Sequence, residues 1–356
     1  MQQRVVPVRV REGYRVVIGS GLLAQSGQLL RETLGNCRIA IVTDSNVANL
    51  YLPAVLESLK QAGLDACTYV FPAGEANKRL STLSGMLEFF AEQRITRTDC
   101  VLALGGGVTG DMAGFAAGCY LRGIRYVQMP TTLLAAVDSS VGGKTAVDLA
   151  AGKNLAGLFH QPSLVICDTD TFATLAPDEF ANGAAEAMKA GILDNEALFS
   201  QLETGETVAR ITDIVEQCVA FKAKIVEADE TETGLRKTLN LGHTAGHAIE
   251  RCSAYTIPHG HAVAIGLAII ARASERLGWA TEPIARRIEH ALTQNGLPTT
   301  TEFSPEVLAE AALSDKKRSG GKITLVVPQK IGDCALIDLP VEQLIDVFRA
   351  GMEAGA

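Results

Sequence analysis

Short apolar runs alternate with longer amphipathic segments along the first half of the chain. The runs RIAIVTD, CVLALGG, RYVQMP and LVICD are typical of β-strands, and each ends in Gly, Pro or Asp. Helix-periodic segments, such as residues 47–62 and 79–93, lie between them. The N-terminal segment MQQRVVPVRVREGYRVVIG alternates apolar and polar residues, which predicts a pair of strands. This order predicts βαβ units on a parallel sheet that binds ligands at the carboxyl ends of its strands.

From about Pro177 the pattern becomes helical. PDEFANGAAEAMKAGI, ITDIVEQCVAFKAKIVEADE, LNLGHTAGHAIERC and HAVAIGLAIIARASERLG all show helix periodicity, and only KITLVVP near the end is typical of a strand. A chain of 356 residues is also too long for one ordinary core. We therefore expect an α/β domain over residues 1–176, an all-α domain over residues 177–356, and an active site in the cleft between them.

Composition and charge restrict the class of protein further. Hydrophobic residues make up 47% and charged residues 20% of the chain, as in globular proteins. The net charge of −8 argues against nucleic acid or an anionic membrane as the main partner. No apolar stretch approaches the ~20 residues that span a membrane, and the N-terminus does not resemble a signal peptide. Eight cysteines without a C-x-x-C pair indicate reduced thiols in a cytoplasmic protein.

A glycine-rich turn follows the predicted strand CVLALGG. Gly105, Gly107 and Gly110 form a G-x-G-x-x-G frame between this strand and a predicted helix, as in dinucleotide-binding folds. The acidic residue expected about 20 residues downstream is missing, because that region reads RYVQMPTT. Asp44, at the end of an earlier strand, could bind the ribose instead, or it could simply cap the following helix, as Ser45 could too. The pattern allows a dinucleotide site whose groups come from several strand ends.

Four polar residues in the C-terminal half share a helix-like spacing. Arg236, Asn240, His243 and His247 are separated by four, three and four residues, which predicts that they share one face of a helix. The two histidines match the pair in an H-E-x-x-H zinc motif. Thr244, however, stands where a metallopeptidase has its general base. The spacing therefore favours a metal site but disfavours a peptidase.

Further candidate ligands lie on either side of this segment. Glu186 lies among small residues, although with Lys189 it could also form an ordinary i,i+3 ion pair. In IPHGHAVAIG, His259 and His261 are two residues apart and would point to nearly opposite sides of a helix. At most one of them is therefore expected to bind the metal. A catalytic zinc site needs three protein ligands and one open position.

Basic residues are concentrated in the segment DSSVGGKTAVDLAAGKN. In an acidic chain, such residues converging on one site would favour a small substrate with several negative charges. The polar candidates in this segment and elsewhere are Asp138, Lys144, Lys153, Asn154, Lys222, Arg122, Lys316 and Lys317.

Six segments together resemble the 3-dehydroquinate synthase family of sugar phosphate cyclases, over nearly the whole chain. They are GGGVTGD, MPTTLLAAVDSSVGGKTAVD, GKNLAGLFHQP, NGAAEAMKAGI, ADETETGLRKTLNLGHTAGHAIE and HGHAVAIG. The resemblance implies a Rossmann-like domain that binds NAD, a helical domain, and a divalent metal, zinc or else cobalt. It also implies a homodimeric shikimate-pathway enzyme that acts on a small anionic sugar phosphate and uses neither nucleic acid nor a membrane.

The reaction implied by this resemblance converts 3-deoxy-D-arabino-heptulosonate 7-phosphate to 3-dehydroquinate and phosphate. It proceeds by transient oxidation with NAD, β-elimination of phosphate, re-reduction, ring opening and an intramolecular aldol closure. By the same resemblance, the metal ligands are Glu186, His243 and His259.

The resemblance assigns two further sets of residues. The catalytic and substrate-binding positions are Arg122, Asp138, Lys144, Lys153, Asn154, Lys189, Lys222, Arg236, Asn240, His247 and one of Lys316 and Lys317. Among them, Arg122 matches an arginine that reaches the neighbouring subunit's site. The NAD-binding positions are Asp44, Asn46, Gly74, Glu75, Lys78, Gly107, Val108, Thr109, Gly110, Asp111, Thr131, Thr132, Lys144, Lys153, Thr171, Phe172, Ala173 and Thr174.

The chain departs from the family pattern at His261, where related enzymes usually have the Glu of H-G-E. We expect this difference to tune the metal site without changing the reaction. Two alternative functions remain. Another sugar phosphate cyclase is disfavoured by Lys222, Arg236, Asn240 and His247 in their expected frame. A metal-dependent polyol dehydrogenase of the same fold would have no use for the cationic residues and would release NADH.

Overall fold

A computed structural model describes residues 3–313 and 321–353 of the chain. Within these residues the chain forms two compact units. The first lies within residues 1–175 and 222–231, and the second lies within residues 176–221 and 232–356. Among the described residues, no helix is both long enough and apolar enough to cross a bilayer.

The first unit contains a seven-stranded sheet, a separate two-stranded sheet and four α-helices of its own. Its strands are β1 (Arg4–Val8), β2 (Tyr14–Gly19), β3 (Ile39–Asp44), β4 (Ala66–Phe71), β5 (Cys100–Gly105), β6 (Arg125–Pro130), β7 (Lys144–Leu149), β8 (Gly152–Phe159) and β9 (Leu164–Asp168). Its helices are α1 (Ser26–Leu34), α2 (Ser45–Gln61), α3 (Leu80–Glu92) and α4 (Gly107–Cys119). The strands and helices predicted from the apolar runs are confirmed.

The large sheet has the strand order β1-β2-β9-β6-β5-β3-β4. All of its pairs are parallel except β1 with β2, which form the predicted N-terminal pair. Side chains of β3 alternate between two buried clusters. Ile39 and Ile41 pack with α1 and α2, whereas Ala40 and Val42 pack with α3 and α4. Because both faces are covered, the strand reads as a continuous apolar run.

The chain reverses its direction of progress across the sheet at β3. From β3 it moves outward to β4, and then it returns to place β5 on the other side of β3. In open α/β sheets, ligands bind outside the carboxyl ends of the strands at such a switch point. Asp44 ends β3, and Gly105 ends β5. The topology thus brings Asp44 and the start of the glycine-rich turn to the position where this fold class binds ligands.

The second unit is mainly helical. Its helices are α5 (Pro177–Asp194), α6 (Glu196–Glu203), α8 (His243–Cys252), α9 (His259–Arg276), α10 (Ala285–Gln294), α11 (Pro305–Leu313) and α12 (Leu344–Met352). Helix α7 (Ile211–Ala228) contributes residues to both units. The long helices predicted in this half are confirmed.

Two antiparallel hairpins correct the sequence-based expectations. In the second unit, KITLVVP forms β10 (Lys322–Lys330), which pairs with β11 (Asp333–Pro340), so the unit is not all-α. In the first unit, the basic segment around Lys144 and Lys153 forms the β7–β8 hairpin. The periodicity of β8 and β11 is weak because their residues are half-buried or exposed on both faces.

Candidate metal and dinucleotide sites

Helix α5 carries a carboxylate into the interior of the second unit. Every residue from Ala181 to Ile192 is buried, and most of them are small, which allows neighbouring helices to approach closely. Glu186 Oε2 lies 2.5 Å from Lys189 Nζ, and both side chains are almost inaccessible, with 1% and 4% exposure. The pair is therefore a buried ion pair, and the alternative of an ordinary solvated pair is excluded.

The expected helical stripe from Arg236 to His247 is wrong. Arg236 and Asn240 lie in a short 3₁₀ helix, Leu235–Asn240. Gly242 then adopts a left-handed conformation with φ of 76°, and α8 begins only at His243. A side chain at Gly242 would also meet the backbone of Leu267 at 3.0 Å. Glycine is therefore needed to start α8 close against α9, and only the two histidines share its helical face.

Two histidines face one oxygen of Glu186. His243 Nε2 lies 3.5 Å and His259 Nε2 lies 3.2 Å from Glu186 Oε1. His243 Nδ1 lies 3.0 Å from the carbonyl oxygen of Leu241. Because a carbonyl can only accept, His243 donates from Nδ1 and keeps the Nε2 lone pair for another partner. The second nitrogen of His259, Nδ1, lies 3.2 Å from Glu250 Oε2.

These separations fit a divalent metal. Ligands at about 2.0–2.2 Å from a tetrahedral zinc ion lie roughly 3.3–3.6 Å from one another. The donor atoms of Glu186, His243 and His259 all lie within 4.8 Å of one another. Two imidazole nitrogens and one carboxylate oxygen form a donor set that zinc favours, with a fourth position left for substrate or water. The residues present therefore fit the expected ion.

Burial and neighbouring charges shift the pKa of each of the three proposed ligands. Burial alone would raise the pKa of Glu186, but Lys189, His243 and His259 hold it well below its ordinary value. Burial and the charge of Lys189 lower the pKa of His243 to about 3, so this ring is neutral at pH 7. Burial would lower the pKa of His259 too, but its hydrogen bonds to the carboxylates of Glu186 and Glu250 raise it to about 10. Glu186 is therefore held as a carboxylate and His243 as a neutral imidazole, which are the forms that bind a metal.

His261 points to a different partner, as the spacing predicts. Its Nδ1 lies 2.9 Å from Oδ1 of Asn182, one turn before Glu186 on α5. His247 is exposed, and its ring centroid lies 6.0 Å from that of His259. Asn240 donates to Glu232 Oε1 at 3.1 Å. Lys189 and His247 thus lie beside the donor set, and His261 is not part of it.

In the first unit, the glycine-rich turn connects β5 to α4 as predicted. A Cβ at Gly105 would lie 2.5 Å from the hydroxyl of Thr109, and a Cβ at Gly110 would lie 2.5 Å from Gln128. Packing therefore explains these two glycines without any ligand. Gly107 begins the helix, and the Gly106 before it offers no side-chain cap. The N–H groups of this first turn are suited to a phosphate.

Asp44 acts as the N-cap of α2. Its Oδ1 accepts from the backbone N–H groups of Asn46 at 2.9 Å and Val47 at 3.1 Å. Its Oδ2 lies 3.4 Å from the hydroxyl of Thr109, which links the ends of β3 and β5. The capping role that the sequence left open is thus observed. One carboxylate oxygen can cap the helix while the other faces the glycine-rich turn.

A buried lysine connects several of the predicted cofactor positions. Lys78 Nζ lies 2.6 Å from Asp111 Oδ2 and 2.5 Å from Asn154 Oδ1. Burial would lower the pKa of Lys78, but Asp111 and Glu75 raise it, so the ammonium stays charged. Lys153 Nζ lies 3.7 Å from Glu75. The structure thus brings residues 75, 78, 111, 153 and 154 together.

The remaining positions of the first unit lie on separate elements. Lys222 Nζ contacts Asp138 Oδ1 at 2.8 Å and the Asp138 carbonyl oxygen at 2.5 Å. Thr131 and Thr132 follow β6, and residues 171–174 lie in the 3₁₀ helix Thr169–Thr174, where the hydroxyl of Thr174 contacts Tyr51. The other positions are Gly74 before a 3₁₀ turn, Arg122 in a turn with φ of 71°, and Lys144 at the start of β7. Lys316 and Lys317 lie outside the described residues.

Sequence reasoning missed Glu250. It lies on α8 seven residues after His243 and three after His247, so helical spacing alone places it near their face. The carboxylate is buried and contacts His259. A search for acidic residues along the histidine face of the helix could have found it.

Comparisons with known proteins agree with both halves of the chain. A model of the 3-dehydroquinate synthase N-terminal region matches residues 68–182, and a model of the C-terminal region matches residues 183–318. A 3-dehydroquinate synthase of Rhizobium leguminosarum bv. trifolii (strain WSM2304) is 44% identical over 361 aligned residues, covering 97% of this chain and 95% of that protein.

Two solved structures are similar over nearly their full length. The 2-epi-5-epi-valiolone synthase ValA of Streptomyces hygroscopicus subsp. jinggangensis 5008, with NAD+ and Zn2+ bound, has a TM-score of 0.87 and 27% identity, and the match covers 98% of this chain and 99% of that one. A 2-deoxy-scyllo-inosose synthase complexed with carbaglucose-6-phosphate, NAD+ and Co2+ also has a TM-score of 0.87, with 24% identity over 99% of this chain and 100% of that one. This second likeness supports the fold.

Proposed function

Because the chain belongs to the 3-dehydroquinate synthase family, we propose that it converts 3-deoxy-D-arabino-heptulosonate 7-phosphate to 3-dehydroquinate and phosphate, using NAD and a divalent metal. The observation that carries this proposal is the donor set of the buried Glu186 and the partly buried His243 and His259. It lies in a chain that is similar to such an enzyme over 97% of its length. We propose residues 1–176 as the NAD-binding domain and residues 177–356 as the metal- and substrate-binding domain.

A bound metal ion would polarise a substrate hydroxyl as a Lewis acid, and bound NAD+ would accept and return a hydride, so that no net redox occurs. Glu186 Oε1, His243 Nε2 and His259 Nε2 would hold the ion. For zinc this set is consistent with ValA, whose structure contains NAD+ and Zn2+. Cobalt would accept the same nitrogen and oxygen donors.

For NAD, we propose the first turn of α4 as the phosphate site. Residues 107–111 begin that helix, and Asp44 ends the neighbouring strand. The ribose hydroxyls would donate hydrogen bonds to the carboxylate of Asp44 and would contact Asn46. The cluster of Lys78, Glu75 and Asp111 would border the ribose. The 3₁₀ helix of residues 171–174 and the threonines after β6 complete the proposed set.

Basic and amide side chains are proposed to bind the phosphate and carboxylate of the substrate. They are Lys144, Lys153, Asn154, Lys189, Lys222, Arg236, Asn240 and His247, and Asp138 orients Lys222 through the contacts described above. Charge-assisted hydrogen bonds of this kind position a departing phosphate. We propose that the phosphate, held in this way, takes the carbon-6 proton itself.

Assembly and location are further proposals. We propose a homodimer in which Arg122 reaches the active site of the neighbouring subunit. We also propose a cytoplasmic location. All eight cysteines are free thiols, as a reducing compartment would maintain them. Size-exclusion chromatography with light scattering would test the dimer, and a monomeric mass would contradict it.

One assay tests the reaction against its alternatives. The protein is mixed with Zn2+, NAD+ and the heptulosonate phosphate, and phosphate and NADH are followed together. We expect stoichiometric phosphate release without accumulated NADH. Steady NADH production from a polyol would instead indicate a dehydrogenase, and phosphate release only from another sugar phosphate would indicate a different cyclase. Glu186→Ala should lose bound zinc and activity together, whereas the surface control Glu282→Gln should lose neither.

A further inference from the structure

We infer that Glu250 is a positioning residue for the metal: it accepts a hydrogen bond from His259 Nδ1 and thereby directs Nε2 of the same ring toward Glu186 and His243. The inference rests on the metal site proposed above. It concerns a carboxylate that sequence reasoning did not select and that contacts a proposed ligand from the side away from the ion.

The geometry of Glu250 suits this role. Its side chain is 5% exposed, and its Oε2 lies 3.2 Å from His259 Nδ1. Its backbone carbonyl accepts from the N–H of Tyr255 at 2.7 Å and from the hydroxyl of Ser253 at 3.0 Å. The residue is thus fixed at the end of α8, two turns after His243 on the same helix. One helix therefore supplies both a ligand and the partner that orients the ligand of α9.

A second donor group competes with this arrangement. Donor atoms of His247, Glu250 and His259 also lie within 4.8 Å of one another. An ion bound there would use His259 Nδ1 and would make Glu250 a ligand. The neutral imidazole has one nitrogen with a free lone pair, so the His259 ring can bind an ion in only one of the two donor groups. The two arrangements require opposite tautomers.

Several observations favour the group that contains Glu186. His243 Nδ1 is directed to the carbonyl of Leu241, which leaves its Nε2 toward Glu186. Glu186 is almost fully buried, whereas His247 in the competing group is exposed. A hydrogen bond from a histidine ligand to a carboxylate fixes the tautomer and the ring orientation and makes the ligand more basic. Loss of such a partner typically lowers metal affinity by about 10- to 100-fold.

The experiment measures zinc affinity and the His259 tautomer in the full-length protein. Zinc dissociation constants are obtained by competition with a chromogenic chelator for wild type, Glu250→Gln, Glu250→Ala and the surface control Glu282→Gln. We expect Glu250→Ala to weaken binding by about 10- to 100-fold. Glu250→Gln should weaken it less, since its amide oxygen still accepts from Nδ1. The control should bind as wild type does.

Nitrogen-15 NMR of the histidine rings tests the same inference without any substitution at Glu250. The chain has six histidines, and the His259 signals are assigned by comparison with His259→Gln. In the zinc-loaded wild type, His259 should carry its proton on Nδ1 and bind zinc through Nε2. Bound zinc on Nδ1 would overturn the inference, even if the Glu250 variants failed to fold.

Failure of the inference differs from failure of the metal site itself. If wild type binds no zinc, or if Glu186→Ala binds it as tightly as wild type, the proposed metal site is wrong. If Glu186→Ala loses zinc but Glu250→Ala binds it unchanged, only the role of Glu250 is wrong. If Glu250→Gln and His247→Ala both lose zinc completely, the competing group holds the ion.

Discussion

At Gly260, directly beside the proposed ligand His259, α9 packs closely against the backbone of α5. We expect Gly260→Ala to weaken zinc binding although it changes no ligand. A Cβ at this position would lie 2.3 Å from the carbonyl oxygen of Asn182 and 2.4 Å from its Cα. Both are backbone atoms of α5, so no side-chain rotation can relieve the contact.

The size of the effect follows from these distances. Real Cβ contacts essentially never fall below 3.0 Å, so the two helices must separate by about 0.7 Å to reach even that lower limit. His259 Nε2 on α9 and Glu186 Oε1 on α5 now lie 3.2 Å apart. Metal–ligand distances tolerate changes of only about 0.2 Å. We therefore expect a loss of zinc affinity of at least about tenfold, with an overpacking cost of about 1–3 kcal/mol.

Two measurements on purified protein separate these effects. Chelator competition gives the zinc dissociation constant, and thermal unfolding of the metal-free protein gives the loss of stability. Gly19→Ala is the matched control, because its new Cβ would lie no nearer than 3.8 Å to any neighbour. Wild-type zinc affinity and an unchanged melting temperature in Gly260→Ala would refute this account of the α5–α9 contact.

Three further predictions concern single polar side chains. His261→Glu should change zinc affinity or the pH profile modestly without changing the product, and complete loss of zinc by chelator competition would mean that His261 is the ligand. Asp44→Ser should keep the cap of α2 and the melting temperature but weaken NAD binding measured by calorimetry; unchanged affinity would leave Asp44 only its capping role. Burial would raise the pKa of Asp99, but hydrogen bonds from the backbone N–H of Arg38 and from Thr96 hold this pKa below its ordinary value. The ionised Asp99 therefore stabilises the fold above about pH 4, and this stabilisation is lost as pH falls through the lowered pKa. Asp99→Asn should accordingly cost about 1–3 kcal/mol at pH 7 and progressively less in acid, by urea unfolding, and a cost independent of pH would contradict this.

The sequence predicted the parallel sheet well because its strands are covered on both faces. Runs such as RIAIVTD must then be apolar throughout, which is a strong local signal. The β7–β8 hairpin gave no such signal. Many of its residues are partly exposed, so they show no continuous apolar run. The basic residues of the segment predicted a binding site and not a strand.

The candidate metal site was predictable in its ligands but not in its local geometry. The spacing of His243 and His247 correctly placed both on one helix, but the extension back to Arg236 failed at Gly242. Residue spacing shows only which residues would share a face if the helix were continuous. The left-handed turn that interrupts it at Gly242 goes with a close contact to α9, which spacing does not show. Helical spacing places Glu250 near the histidine face of α8, but its contact with His259 depends on how α8 packs against α9, which spacing does not show.

The most direct test of the metal site is zinc anomalous diffraction from crystals of the zinc-loaded protein. We expect one strong peak bound by Glu186, His243 Nε2 and His259 Nε2 at about 2.0–2.2 Å, and no peak in crystals of Glu186→Ala. A peak held by His247, Glu250 and His259 Nδ1, or one that persists in Glu186→Ala, would contradict the account.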